Sequence, residues 1–421
     1  MEQFKDAHYF HIPSQGNIYT MTELRLANGK SLVLAASLKR DIFYFEYSEA
    51  SLSLDPATKE ISFTYIPSGA EIISIDAFNK SSITNEAVIG ITIIKNSNDS
   101  DTLETFLNIY SQLEEHEDFN IENIAQNCLT VELNFIPYQL LHTELITWKG
   151  DKIAKKEIVF ILTGSDNLVH IYHENTSEHS YKDIDNRDLF PEFGKTPSPV
   201  IWIDICHLNN YEERVTAFGC ECGYVKLLKV NTKTNKVIYN FSTRFSNYIS
   251  KVQLYFENEV KHPDHFGKII SKFATEKKDA RQVLNLIVVN SLLPSVLFRD
   301  VLKYGLSDYL TLARHNNSTV FTSCIVADID FDGQKEILLG TGSEEIILYK
   351  RDIKENKWYL EEIKNLVAPI LSMTYLDISG DGVKELIVSS MKGIHVLQHD
   401  PKFVQKKLTE RVDALVIPKI V

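Results

Sequence analysis

Short apolar runs alternate with polar turns along nearly the whole chain, and one unit of that pattern recurs. An apolar run ends in small residues, a polar turn follows, and a second run rich in β-branched and aromatic residues begins, which predicts a β-hairpin. Near the C-terminal end the unit reads Lys335-Glu336-Ile337-Leu338-Leu339-Gly340-Thr341-Gly342-Ser343 and then Ile346-Ile347-Leu348-Tyr349. It returns as Lys384-Glu385-Leu386-Ile387-Val388-Ser389-Ser390 and then Ile394-His395-Val396-Leu397. Upstream copies start at 156 and 215, and weaker ones at 31, 87 and 284.

Anchored at Leu32, Val88, Ile158, Thr216, Leu286, Ile337 and Leu386, the copies lie 56, 70, 58, 70, 51 and 49 residues apart. A propeller blade of four short strands needs about 40–50 residues, so the longer intervals imply inserted loops rather than missing blades. A further alternating run, ending in Asp at Asp76, Asp204, Asp328 and Asp377, precedes several copies and supplies another strand. The reading is an all-β, seven-bladed β-propeller over 1–400, with blades at 17–50, 61–112, 130–175, 197–240, 248–300, 318–352 and 368–400. A strand at 7–13 lies before the first complete unit and is expected to pair with the last blade and close the ring. Helices are expected only at 119–125 and, in the tail 401–421, at 401–415. Insertions that a blade does not need stand at 94–105, 174–195 and 257–282, where binding loops are expected.

With 44% hydrophobic and 24% charged residues, the 421-residue chain has the composition of a globular protein with a substantial core. A net charge of -13 argues against a general nucleic-acid surface, which needs clustered Lys and Arg. The first twenty residues lack the basic start and apolar run of a secretory signal, and no segment approaches a bilayer span, so a cytosolic location is expected. Five cysteines, Cys128, Cys206, Cys220, Cys222 and Cys324, are scattered through apolar runs and read as reduced thiols.

The sharpest chemistry is Asp328-Ile329-Asp330-Phe331-Asp332-Gly333 followed by Glu336, repeated 49 residues on as Asp377-Ile378-Ser379-Gly380-Asp381-Gly382 followed by Glu385. Oxygen ligands fall at positions 1, 3, 5 and 9, with Gly at position 6 for a sharp turn, which is the pattern that suits Ca²⁺. Position 12 holds Leu339 and Val388 where an EF-hand needs Glu, and strands rather than helices follow. The alternative is that Asp-Gly builds only a tight turn, with the carboxylates bonding local amides. The two loops resemble the calcium loops of FG-GAP repeats in integrin α-subunit propellers. On carboxylate count, affinity is expected to fall from the first loop to the second, because Ser379 replaces a carboxylate. Cys206, His207, Cys220 and Cys222 sit in neighbouring strands, where alternate thiols behave as small buried hydrophobes more readily than as zinc ligands. His262 and His265 read as solvated loop histidines. A phosphate loop, a nucleophile elbow and a His-Glu-x-x-His helix are all missing, and the chain reads as a non-enzyme.

Longer irregular strings carry a family resemblance: Phe63-Thr64-Tyr65-Ile66-Pro67 with 70–81, Ile124-Ala125-Gln126-Asn127-Cys128-Leu129, Leu189-Phe190-Pro191-Glu192, and Gly380-Asp381-Gly382 through His399. In these the chain resembles the kaptin family over nearly its full length. The resemblance implies membership of a KICSTOR complex, with a large scaffold subunit and a second FG-GAP propeller protein as partners. Such a complex brings the GATOR complex to the lysosomal surface and restrains the TOR kinase, in TOR complex 1, when amino acids or glucose are scarce. The resemblance carries no active site, and both acidic loops match its pattern. The ends here are shorter than those of vertebrate members, so contacts made by those ends are not carried over. The family name also implies an association with actin filaments at the cell periphery. An actin-associated cytoskeletal protein is therefore the alternative, weakened by the acidic balance of the chain.

Overall fold

Strands that are apolar on both faces must be covered on both faces. Ser31–Ala36 (SLVLAA), Leu284–Asn290 (LNLIVVN), Glu336–Thr341 and Glu385–Ser390 are buried at every position. In the computed structural model, which describes residues 4–47, 56–97, 102–112, 119–184, 188–257, 282–314, 319–352 and 354–416, that cover comes from neighbouring sheets. The chain is a seven-bladed β-propeller of seven four-stranded antiparallel sheets. Blades 1 to 6 run over 21–61, 71–133, 137–183, 200–244, 249–311 and 321–365, and each is laid down in chain order from the channel outward. All seven repeat anchors fall in the second strand of their blades.

Blade 7 takes its inner three strands from 370–399 and its outermost from the N-terminal strand Phe4–His11, which pairs antiparallel with Gly393–His399. Among the described residues the apolar core divides into seven clusters, one on each seam between adjacent blades. Alternation along one strand feeds two of them. Leu32, Leu34 and Ala36 point to the seam with blade 2, while Val33 and Ala35 meet Ile387, Ile394 and Val396 of blade 7. Glycines mark seams that close tightly: a Cβ on Gly219 would come within 2.4 Å of Ile249, one on Gly340 within 2.8 Å of Ile370, and one on Gly90 within 2.8 Å of Phe160.

The inner strands of blades 2 to 7 share a β-bulge near their start, as between Val200 and Trp202 or between Ile249 and Lys251. The extra residue raises the local twist and turns polar side chains toward the channel. Across that channel the Tyr19 hydroxyl donates to the Ile201 carbonyl at 2.8 Å, joining the start of blade 1 to blade 4.

Several boundaries differ from expectation, and the outer strands are the reason. Pro56–Ile61, Cys128–Leu133, Tyr309–Thr311 and Lys357–Asn365 complete blades 1, 2, 5 and 6, beyond the expected ends at 50, 112, 300 and 352. Lys357–Asn365 alternates between exposed and half-buried positions, so it lacks the apolar signature of an inner strand. Residues 94–105 are largely hairpin rather than loop: Ala87–Asn96 pairs with Leu103–Ser111, and Lys95 and Glu104 form an ion pair at 2.6 Å. The helix expected at 119–125 is a single turn, Ile121–Ile124, capped by the Asn120 side chain. The tail forms the helix Pro401–Val416, and no helix among the described residues is long and apolar enough to cross a membrane. The expected loop 257–282 and its histidines, His262 and His265, lie outside the described residues.

The insertion at 174–195 holds the outer strand Ser180–Asp183 and then folds back onto the seam between blades 3 and 4. Phe190 and Phe193 enter the core, and Glu192 is fully buried beside Arg214. The guanidinium donates through Nε at 2.6 Å and Nη2 at 3.1 Å to the carboxylate, and lies 4.0 Å from the Phe190 ring. Thr216 and the Leu189 carbonyl satisfy further positions. Breaking one side of such a pair strands a buried charge, whereas replacing both with apolar groups does not. Arg214→Met is expected to cost about 3–5 kcal/mol in urea unfolding, and the double change Glu192→Met/Arg214→Met to recover most of it.

Candidate functional site

The two acidic loops join the first and second strands of blades 6 and 7, so both emerge on the same face of the ring. Each begins as the inner strand ends and closes where a buried Glu opens the next strand. In the first loop the Asp328 carboxylate accepts from the Gly333 amide at 2.9 Å, Asp330 from Asp332 at 3.1 Å, and Asp332 from Gln334 at 2.8 Å. In the second, Asp377 accepts from Gly380 and Gly382 at 2.7 and 2.8 Å, and Asp381 from Val383 at 2.8 Å. Glu336 and Glu385 accept from Ile329 and Ile378 at 2.9 and 3.0 Å. Ser379 donates to Asp377 at 3.4 Å. The repeat therefore builds one turn twice, with the carboxylates holding it from within.

Position 6 needs a left-handed backbone, with φ of 90° at Gly333 and 91° at Gly382. Position 4 needs one as well, and there the loops part: Gly380 supplies it freely, whereas Phe331 adopts φ 59°. The Phe331 ring packs 4.8 Å from His399 and 6.2 Å from Phe403 of the C-terminal helix, contacts that hold the unfavourable backbone in place. Burial pushes the His399 imidazole down to about 4, so it sits in that stack as a neutral ring.

Ligand-bearing oxygens gather in both loops. Asp328, Asp330 and Asp332 come within 4.8 Å of one another, as do Asp377, Asp381 and Glu385. The decisive difference lies across each hairpin. Lys350, one position beyond the Ile337–Tyr349 pair, pairs with the Asp330 carboxylate and lies 3.9 Å from Glu336 Oε1. Burial works against the Lys350 ammonium, yet the Asp330 carboxylate beside it more than offsets this and raises its pKa. The matching residue, one position beyond the Leu386–Leu397 pair, is Gln398, a neutral amide whose Nε2 lies 3.5 Å from Glu385 Oε1. The first loop thus has an ammonium group across its hairpin where the second has a neutral amide. Burial drives Glu336 up to about 8 and Glu385 up to about 7.

Neither cluster includes a Cys or His. Cys206 packs on the seam between blades 4 and 5, while Cys220 and Cys222 pack on the seam between blades 3 and 4. Burial pushes the Cys206 and Cys220 thiols up to about 12. His207 shares Nε2 between Thr143 at 3.2 Å and Glu144 at 3.5 Å, and burial lowers it to about 4.

With the fold and loops in view, comparison with known proteins becomes informative. The sequence profile of the family described as KICSTOR complex protein kaptin matches residues 4–409. The chain belongs to the kaptin family. The curated KICSTOR complex protein kaptin of Mus musculus is 35% identical over 389 residues, covering 92% of this chain and 86% of its relative. Similarity to solved structures shows the fold alone. BBS1N, crystallised in complex with ARL6DN, superposes with a TM-score of 0.52 at 7% identity, over 95% of this chain and 97% of that one. The Dos1 propeller gives 0.52 at 10% identity, over 94% and 95%. The kaptin match spans all seven blades and the segments that hold both acidic loops.

Lys350 escaped sequence reasoning because its role comes from register across the hairpin. Aligning the two repeats at Glu336 and Glu385 and counting to the facing strand would have found it. Removing its charge leaves the Asp330 carboxylate without its ammonium partner beside the buried Glu336. Lys350→Met is expected to lower stability by about 1–3 kcal/mol in denaturant melts, and Glu336→Gln in the same chain to restore part of it.

Proposed function

We propose that the chain is a non-catalytic adaptor subunit of a KICSTOR-type assembly, and that the assembly brings the GATOR complex to the lysosomal surface. On this reading it restrains TOR complex 1 signalling during amino-acid or glucose starvation. A large scaffold subunit and a second FG-GAP propeller protein are its partners. The observation that carries the proposal is the kaptin-family match across residues 4–409, which takes in every blade. A ring held by seven apolar seams is stiff, and stiff surfaces bind proteins with little ordering cost. The surface also supports it: Val237, Ile238 and Phe241 on the outer strand of blade 4, with Tyr304 and Tyr309 of blade 5, are exposed apolar side chains.

The test is recovery of the tagged full chain from cells with its partners. The scaffold and the second propeller protein are expected with the wild type, and their yield is expected to fall in Ile238→Asp/Tyr309→Asp at unchanged expression. Recovery of actin alone, confirmed by co-sedimentation at physiological salt, would replace the adaptor reading with the cytoskeletal one.

Ca²⁺ belongs to the same proposal as a structural ion of the second loop. Asp377, Ser379, Asp381 and Glu385 would hold it, and it would brace the turn without entering any reaction. The first loop, with Asp328, Asp330, Asp332 and Glu336, is the weaker candidate, because Lys350 already pairs with Asp330 and lies 3.9 Å from Glu336. Added Ca²⁺ is expected to raise the melting temperature of the wild type and of Asp330→Asn, but not of Asp381→Asn. A rise that survives Asp381→Asn and disappears with Asp330→Asn would reverse the assignment.

A further inference from the structure

We propose that the outer strand of blade 4, Lys236–Arg244, takes up an extended, acidic-ended segment of a partner protein as a fifth strand. The inference deepens the adaptor reading, from which it takes only that this rim meets a protein.

Every blade ends in a strand with one unpaired edge, and such an edge pairs with a further strand unless something blunts it. Most of the blades are blunted. Lys59 in blade 1, Glu132 in blade 2, Lys182 in blade 3, Glu361 in blade 6 and Asp6 in blade 7 place charge inside the outer strand, and blade 5 ends in only three residues, Tyr309–Thr311. Blade 4 instead keeps its charges at the two ends of the strand. Between them the sequence VIYNFST holds no charge, no proline and no glycine, and most of it is β-branched or aromatic. A bulge at Ile238 bounds the regular run, and Tyr239–Arg244 stays in unbroken register with Tyr224–Lys229.

That edge is open. Among the described residues its backbone pairs only with Tyr224–Asn231 on the inner side, and no backbone group of another element bonds to it. Blade 5 walls one face of it: a Cβ on Gly305 would lie 2.7 Å from the Phe241 ring, and the Tyr239 hydroxyl donates to the Val301 carbonyl at 3.5 Å. Val237, Ile238 and Phe241 remain exposed, so an added strand meets backbone partners and apolar surface together.

Charge selects the occupant. Lys236 and Arg244, both exposed, bracket the run, and the strand has no acidic residue. The carboxylates of the adjoining turn are engaged, Glu212 with Lys233 and Glu213 with Lys229, each at 2.8 Å. In a chain of net charge -13 this edge is thus cationic at both ends. A second copy of the chain matches poorly, because two such strands paired antiparallel about Asn240 would bring Lys236 of each to Arg244 of the other. A segment with a carboxylate at each end and apolar residues alternating between them matches in either direction.

The test is fluorescence anisotropy of the full chain with a labelled, end-capped peptide, Asp-Val-Thr-Val-Tyr-Val-Asp. It is expected to bind the wild type with a Kd of about 100 µM or tighter, and the same peptide with Lys at both ends about tenfold more weakly or worse. Lys236→Glu/Arg244→Glu should reverse that order, and Phe241→Lys, which puts a charge inside the edge, should abolish both. Of two peptides N-methylated on alternate residues, the one whose methyl groups meet the edge should fail and the other should still bind. Circular dichroism of each variant confirms that the ring is intact. Absence of saturable binding up to about 1 mM, binding of both methylated peptides, or an order unchanged by the charge reversal overturns strand addition. A wild-type dimer in sedimentation equilibrium that Phe241→Lys converts to monomer gives the edge to a second copy and overturns it too. The two readings fail separately: loss of peptide binding with the scaffold still recovered from cells sinks strand addition alone, and peptide binding with no scaffold recovered sinks the adaptor reading alone.

Discussion

Everything in this fold depends on apolar packing between neighbouring blades. A single four-stranded sheet with both faces apolar has nowhere to bury them, and only another sheet on each side provides the cover. Each second strand therefore serves two seams at once, as Leu32 and Leu34 do on one side of blade 1 and Val33 and Ala35 on the other. The arrangement works only if the ring closes. Closure rests on Phe4–His11, which completes blade 7 from the far end of the chain and places Phe4 in the seam between blades 6 and 7. Blade 7 is thereby completed by a pairing between residues almost four hundred positions apart, Phe4 with His399.

Once the ring is fixed, small differences between repeats acquire consequences. The acidic loops are near-copies in sequence and in hydrogen bonding, yet one faces Lys350 and the other Gln398. The same divergence appears at position 4, where Phe331 accepts a left-handed backbone and in return gains a place against His399 and Phe403. The first loop, with Lys350 against Asp330, also serves as a foothold for the C-terminal helix through Phe331. The second has kept an open acidic face. Duplication supplied two equal turns, and facing side chains gave them different electrostatics.

The channel wall follows the same logic. Bulged inner strands turn polar groups inward, and these bridge blade to blade: His142 with Asp76, Thr143 with His207, the Leu254 amide with Asp204, and Lys251 with the Cys324 carbonyl. Apolar seams carry the stability, while this polar inner rim ties neighbouring blades in register. A surface so constrained offers any partner a shape that is already formed.

The repeat, the blade count and the acidic turns were legible in the sequence because each has a local physical cause. Doubly covered second strands must be apolar throughout, and a turn through φ near 90° must use glycine, as at Gly333 and Gly382. Outer strands such as Lys357–Asn365 were not legible, since a half-exposed edge places little demand on side chains. Nor was the fate of the acidic residues. Asp328, Asp330 and Asp332 announce a cation site by spacing, but whether a cation is already present depends on Lys350, which reaches them only through hairpin register. The same holds for Lys251, Lys335 and Lys384, spread over more than 130 positions and gathered by the closure of three blades around one hollow. Local patterns recorded which strands are covered and where the chain turns. Which charges face one another was decided by the ring, because Coulomb energy follows distance in space and not along the chain.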